Sequence, residues 1–257
     1  MNEKTYGELL FEKYLNLQDI KFVYEPPLPN TSRLVDYVVE HPTHGQILFE
    51  VKDIHNPPPK GSFSQFDPYP PIRRHIDEGS KKFRDLPDAL SALVLVSAPG
   101  SFVDLLDPHV MLGSMYGDFG WTIPVDLELG RADGSQIESR FLPGKGKMVR
   151  SNCFRNTRIA ALISLVDYNT FPKEAVRYLK TDDGRTEAER NADLYEGRIN
   201  ISEEKTPCVT VWENGTAKHR LPQDIFRGDM DAWWTCDEEG QSRSFIGQRR
   251  LALKIDK

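Results

Sequence analysis

Cysteine is scarce in this 257-residue chain: Cys153, Cys208 and Cys236 are odd in number, far apart and form no CxxC pair. That argues against a disulfide framework and a cysteine-built zinc site, and it suits a reducing, cytoplasmic setting. Long apolar runs are missing too. None approaches the ~20 residues needed to span a bilayer, so no membrane partner is expected. The opening MNEKTYGE carries acidic residues and lacks the apolar core of an export signal. No internal repeat, glycine-rich phosphate loop or GxSxG elbow occurs, which removes three common routes to a functional assignment. Nor is there a surplus of positive charge. The formal net charge of −6 counts mildly against a nucleic-acid partner, whose phosphates normally call for basic surface.

What is present describes a globular protein long enough to bury a substantial core, with 39% hydrophobic and 28% charged residues. The stretch from Arg33 to Asp53, RLVDYVVEHPTHGQILFEVKD, organises the rest. Its apolar, β-branched segments predict strands over 33–40 and 46–52, joined through HPTHG. Strand side chains alternate faces, so Glu50 and Lys52 share one side while Val51 points away. If the strands are neighbours, Asp36 falls close to Glu50. Two carboxylates and an ammonium in apolar surroundings are costly to bury unless paired or bound to a metal, and that marks a candidate site.

Asp36, a spacer of thirteen residues and then Glu50-Val51-Lys52 resemble the PD-(D/E)XK nuclease superfamily, with Val35 where the family often has Pro. The resemblance covers roughly the first 100 residues. It implies an α/β fold of the restriction-endonuclease-like kind, a mixed central sheet with flanking helices built on an αβββαβ core. It further implies that Asp36, Glu50 and the backbone carbonyl of Val51 bind Mg²⁺, for which Mn²⁺ substitutes, and that Lys52 positions the attacking water. The expected activity is hydrolysis of phosphodiester bonds in nucleic acid, DNA above all, with a homodimer where both strands are cut. Glu8, on a preceding helix, matches the acidic residue that often joins the family's site.

The apolar stripe Tyr6, Leu9, Leu10, Tyr14 and Leu17 predicts a helix from about Lys4 to Leu17. Thr5 and Glu8 also have capping-box spacing, so Glu8 is either a helix cap or a member of the site. Ile20–Glu25 reads as a strand. His41 and His44 have metal-ligand spacing, but their turn lies at the far end of the strands from Glu50. Residues 56–71, with six prolines and the aromatics Phe63, Phe66 and Tyr69, read as an exposed loop beside the site. A helix is expected from Pro71 to Arg84, with Ile72, His75, Ile76 and Phe83 inward, and Leu90–Ser97 is a strand buried on both faces.

Further on, residues 101–115 are partly helical and Gly117–Trp121 is a turn. A hairpin is expected over 122–142 around Gly130–Gly134, and 157–168 is a buried strand or short helix. Thr181–Gly197 is a charged surface excursion. Cys208–Trp212 and Thr216–Arg220 flank Glu213-Asn214-Gly215 as an Asn-Gly hairpin. The chain is thus divided into a core over 1–125 and a β-rich C-terminal extension over 126–257 that packs on or completes it. Two basic clusters, Arg73, Arg74, Lys81, Lys82 and then Lys145, Lys147, Arg150, Arg155, Arg158, are candidates for tracking a phosphate backbone or are solvated faces. Two competing readings stand beside the nuclease: a noncatalytic nucleic-acid-binding or assembly module on the same fold, and a structural ion-pair cluster.

Overall fold

The N-terminal segment becomes a helix where its caps dictate. In the computed structural model, α1 spans Tyr6–Leu17. Thr5 is its N-cap, accepting from Glu8 N–H at 3.3 Å, while the Glu8 carboxylate accepts from Thr5 N–H at 2.7 Å. The structure describes residues 3–28, 34–57, 67–84, 86, 88–122, 125–126, 131–132, 138–142, 145–150, 153–170, 184–186, 189, 204–236 and 243–247. After α1 come β1 (Phe22–Tyr24), β2 (Tyr37–His41), β3 (Gly45–Ile54), α2 (Tyr69–Arg84) and β4 (Leu90–Ser97). Then follow α3 (Pro108–Tyr116), β5 (Asp118–Thr122), β6 (Val125–Asp126), β7 (Arg131–Ala132), β8 (Glu138–Leu142), β9 (Val149–Arg150) and β10 (Cys153–Phe154). The last strands are β11 (Ile159–Thr170), β12 (Glu204–Glu213), β13 (Ala232–Cys236) and β14 (Arg243–Gly247).

Eight of these strands form one mixed sheet in the order β1-β2-β3-β4-β11-β12-β13-β14. β3, β4 and β11 run parallel, while β1/β2, β2/β3 and β11/β12 are antiparallel. The fold is therefore mixed α/β, and strands from both sides of residue 125 share a single ladder. Period-two alternation splits the core into two layers. Ile47, Phe49 and Val51 pack with Phe11, Tyr14 and Leu15 of α1, whereas Leu48 and Ile54 pack with Ile72, Ile76 and Phe83 of α2 and with Met111 and Met115 of α3. Glu50 and Lys52 share the parity of Leu48 and Ile54, which assigns them to the α2 layer. No helix among the described residues is long and apolar enough to cross a membrane.

Several expectations are corrected. α2 begins at Tyr69, two residues before Pro71: Pro70 and Pro71 fit a first turn whose N–H groups have no helical partner, and Asp67 Oδ1 accepts from Tyr69 N–H at 3.0 Å. Residues 118–122 are not a turn but β5, paired antiparallel with β8, and β6/β7 continue the same excursion. Of the two alternatives for 157–168, the strand is borne out, as β11 from Ile159. The Asn-Gly hairpin does not form, because residues 216–220 are not a strand and β12 pairs instead with β11 and β13. Tertiary contacts override the local signal there: Asn214 N–H donates to Ala160 O and its Nδ2 to Ile159 O at 2.8 Å. Phe63, Phe66 and most of 181–197 lie outside the described residues.

Candidate functional site

Asp36 sits one residue before β2, at the point where the β2–β3 ladder ends with the pair Tyr37–Phe49. Val51 N–H is thus left without a strand partner on that edge and donates to Asp36 Oδ2 at 2.7 Å. This bond fixes the carboxylate against β3 and leaves Oδ1 facing the α2 layer. From β3, Glu50 enters the same space and is 1% exposed. Its Oε1 pairs with Lys52 Nζ at 2.7 Å, and its Oε2 with Lys82 Nζ. Lys82 Nζ also reaches Asp36 Oδ1 at 3.4 Å. One ammonium therefore lies between the two carboxylates, with a second beside them.

The chemistry of this group is set by its burial. Desolvation, reinforced by the Asp36 charge, pushes the Glu50 carboxyl above its ordinary 4.5 against the pull of Lys52 and Lys82. At Lys52, desolvation acts downward, yet Glu50, Asp36 and Glu78 together outweigh it and hold the ammonium above its ordinary 10.5. The two directions pull against each other, since the Lys52 shift needs an ionised Glu50. With two ammonium groups on the carboxylate, the charged arrangement is the resting state we assign. Lys52 is then a cation suited to positioning and charge stabilisation rather than to accepting a proton.

Lys82, which the sequence groups with the candidates for tracking a phosphate backbone, pairs here with the two carboxylates. The signal was available: Ile72, His75, Gly79 and Lys82 recur at helical spacing, so Lys82 continues the inward stripe of α2 while Lys81 turns out. Gly79 lets the helix approach the sheet, since a Cβ there would meet Leu93 Cδ1 at 3.1 Å. His75 is buried on the same stripe, with Nδ1 3.0 Å from Glu78 Oε2. Burial holds its imidazole below the ordinary value, aided by the charges of Arg74 and Lys52 and opposed by Glu78.

Glu8 lies on α1, across the sheet from Glu50. Its carboxylate is taken up by the capping box and by Tyr24 Oη, which donates to Oε1 at 3.4 Å. The capping alternative is thus realised. Burial together with the charges of Glu8, Glu25 and Asp36 pushes the Tyr24 phenol up to about 12. The histidines of the β2–β3 turn stay apart from the site: His41 pairs with Asp224 at 3.1 Å, and its ring lies 5.0 Å from that of His44.

The two basic clusters, distant in sequence, meet. Arg73, Arg74 and Lys81 of α2 and Lys145, Lys147 and Arg155 line one groove of ≈ 550 Å³, with Asp77 and Glu78 as its acidic residues. Not all of these cations serve the groove alone. Arg73 is buried, donating from Nη2 to Gly113 O at 2.8 Å and to Asp118 Oδ1 at 2.7 Å, with its guanidinium 4.7 Å from the Tyr69 ring centroid. Arg158 lies outside the groove lining and caps the end of α2, donating from Nη1 to Phe83 O and Leu86 O. The Arg150 side chain lies outside the described residues.

Among the described residues, no group of three or more His, Cys, Asp or Glu side chains gathers as a metal cluster would. Two carboxylates can still hold a hard divalent ion that keeps several waters. The donor set fits such an ion, because Asp36 Oδ1 and Glu50 Oε2 already converge on a single cation, the Lys82 ammonium.

No family model matches this chain, and no curated protein matches it. Among solved structures it is similar to SfsA from Pyrococcus furiosus, determined in complex with Ca²⁺, at 22% identity and a TM-score of 0.20. That match covers 37% of this chain and 41% of SfsA.

Proposed function

We propose that this chain is a metal-dependent nuclease of the PD-(D/E)XK kind, with restriction-endonuclease-like topology in residues 1–125 and a sheet completed by 126–257. The observation that carries the reading is the convergence of Asp36 and Glu50 on one cation position, with Lys52 beside them. Asp36, Glu50 and the Val51 carbonyl would hold Mg²⁺, with Mn²⁺ as a substitute. A bound divalent ion supplies Lewis acidity, lowering the pKa of a water and neutralising charge that builds on the phosphorus. Charge count supports a phosphodiester substrate. Lys82 sits on the oxygens an ion would take, so the count is made without it: Asp36, Glu50 and Lys52 carry one net negative charge, and a divalent ion leaves an excess of one positive charge, which one phosphodiester would cancel.

In this reading Lys52, kept protonated by Glu50, orients the water and stabilises the transition state rather than acting as general base. Groove cations take flanking phosphates, DNA being the first polymer to test. In this reading Glu8 stays with the capping box and Tyr24 on the α1 side of the sheet and takes no part in the chemistry. The ammonium of Lys82 between the carboxylates favours a second reading, an ion-pair cluster on a noncatalytic nucleic-acid-binding module. Mg²⁺-dependent cleavage of plasmid and single-stranded DNA decides between them. The nuclease reading requires cleavage that is lost in Asp36→Ala and Lys52→Ala while circular dichroism shows both variants folded. A gel shift without cleavage by the wild type would favour the binding module.

A further inference from the structure

We propose that Lys82 is the resident cation of the dicarboxylate site, holding Asp36 and Glu50 together before a metal arrives and competing with the divalent ion for the same two oxygens. The inference rests on the metal-dependent reading above and goes beyond it, since it makes metal affinity a property tuned from α2. Lys82 Nζ pairs with Glu50 Oε2 and, at 3.4 Å, with Asp36 Oδ1. Two carboxylates facing one space repel each other, and the Lys82 ammonium between them offsets that repulsion.

The same geometry makes Lys82 displaceable. Asp36 Oδ2 is tied to Val51 N–H and Glu50 Oε1 to Lys52, so the oxygens left for an incoming ion are those that Lys82 occupies. Its side chain is 25% exposed, against 1% for Glu50, and it carries a flexible four-carbon stem. It also stands in the last turn of α2, where a cation is favoured by the helix C-terminus even without a carboxylate partner. Lys52 differs, since its ammonium is anchored on the Glu50 oxygen that faces away from Lys82. Entry of a divalent ion therefore exchanges one positive charge for two, with Lys82 swinging towards solvent.

Isothermal titration of Mn²⁺ into the full-length wild type, Lys82→Met, Lys82→Arg and Glu50→Gln tests this. Lys82→Met removes the charge and keeps the stem, and Lys82→Gln replaces it should the methionine variant not fold. The expected result is Mn²⁺ binding at least tenfold tighter in the neutral variant, no tighter than wild type in Lys82→Arg, and lost in Glu50→Gln. A parallel thermal melt should show a lower metal-free midpoint for the neutral variant and a larger rise on adding Mn²⁺. If the neutral variant binds Mn²⁺ equally or more weakly while Glu50→Gln abolishes binding, the competition is overturned and the metal-dependent reading stands. If no variant binds Mn²⁺, both fall together.

Discussion

Glu50→Gln separates a functional site from a structural ion pair by the sign of its effect on stability. The substitution keeps the shape of the side chain and removes its charge. In the native protein that charge is held at a cost, because burial and Asp36 lift the carboxyl above its ordinary 4.5 even with two lysines in contact. A tenfold change in proton affinity corresponds to about 1.4 kcal/mol. Lys52 and Lys82, 29% and 25% exposed, can turn to water or to Asp36 when Glu50 becomes neutral. The variant should therefore be as stable as wild type or about 1 kcal/mol more stable, a rise of up to about 2–4 °C for a chain of this size, while Mg²⁺-dependent cleavage disappears.

The pH dependence follows from the same shift. A carboxyl whose folded pKa is raised binds its proton more tightly in the native state, so stability falls as pH rises from the ordinary value through the raised one. Wild type should gain stability on acidification within that window, and Glu50→Gln should lack this contribution. Thermal melts followed by circular dichroism at several pH values, with a plasmid-nicking assay alongside, supply both readouts. A midpoint lowered by an amount equivalent to about 3–5 kcal/mol, the usual cost of breaking a buried pair, would refute the reasoning and restore the structural ion-pair reading.

Three further outcomes are expected. The Arg73 hydrogen bond holds the Asp118 carboxyl below its ordinary 3.8, so its stabilisation is present above that value and lost as pH falls through the depressed one. Asp118→Asn should thus cost about 1 kcal/mol at neutral pH, given its partial exposure, and a wild-type-to-variant gap in urea midpoints that did not close in acid would contradict this. Gly146→Ala would place a Cβ 2.3 Å from the Tyr116 carbonyl carbon and 2.6 Å from Gly117 N, main-chain atoms that cannot yield cheaply. It should destabilise the chain by about 1–3 kcal/mol, and an unchanged melting midpoint would show the wall to be softer than argued. Arg74→Ala with Arg155→Ala should weaken duplex binding and flatten its log–log salt dependence by about 0.9 for each phosphate no longer neutralised. An unchanged slope would remove the groove from the nucleic-acid path.

The parts of the fold legible in the sequence are those whose signal is local. β4 runs over Leu90–Ser97 as expected because a continuous apolar octet has few alternatives, and α1 starts where Thr5 and Glu8 cap it. Face alternation along β3 put Glu50 and Lys52 on one side, as found. What stayed hidden depends on partners far along the chain. Nothing in the 143–158 segment announces that Lys145, Lys147 and Arg155 line a groove with α2. Nor does the Asn214-Gly215 pair reveal that Asn214 will be buried against Ile159 and Ala160. The stripe on α2 did carry the inward turn of Lys82, but a lysine among other basic residues reads more readily as surface.

The strand that follows the site in the sheet is flanked by one made much later. β4 is bonded to β3 over Leu90–Ser97 and to β11 over Ser91–Val96, and nearly all of it is buried. A fragment stopped at residue 125 would present the apolar edge of β4 to water, an invitation to pair with other chains. The half that carries the two carboxylates is therefore not portable on its own. Transplanting it, or trimming the protein to a minimal unit, must bring β11 along, and assembly of the sheet beside the site must wait until that strand has been synthesised.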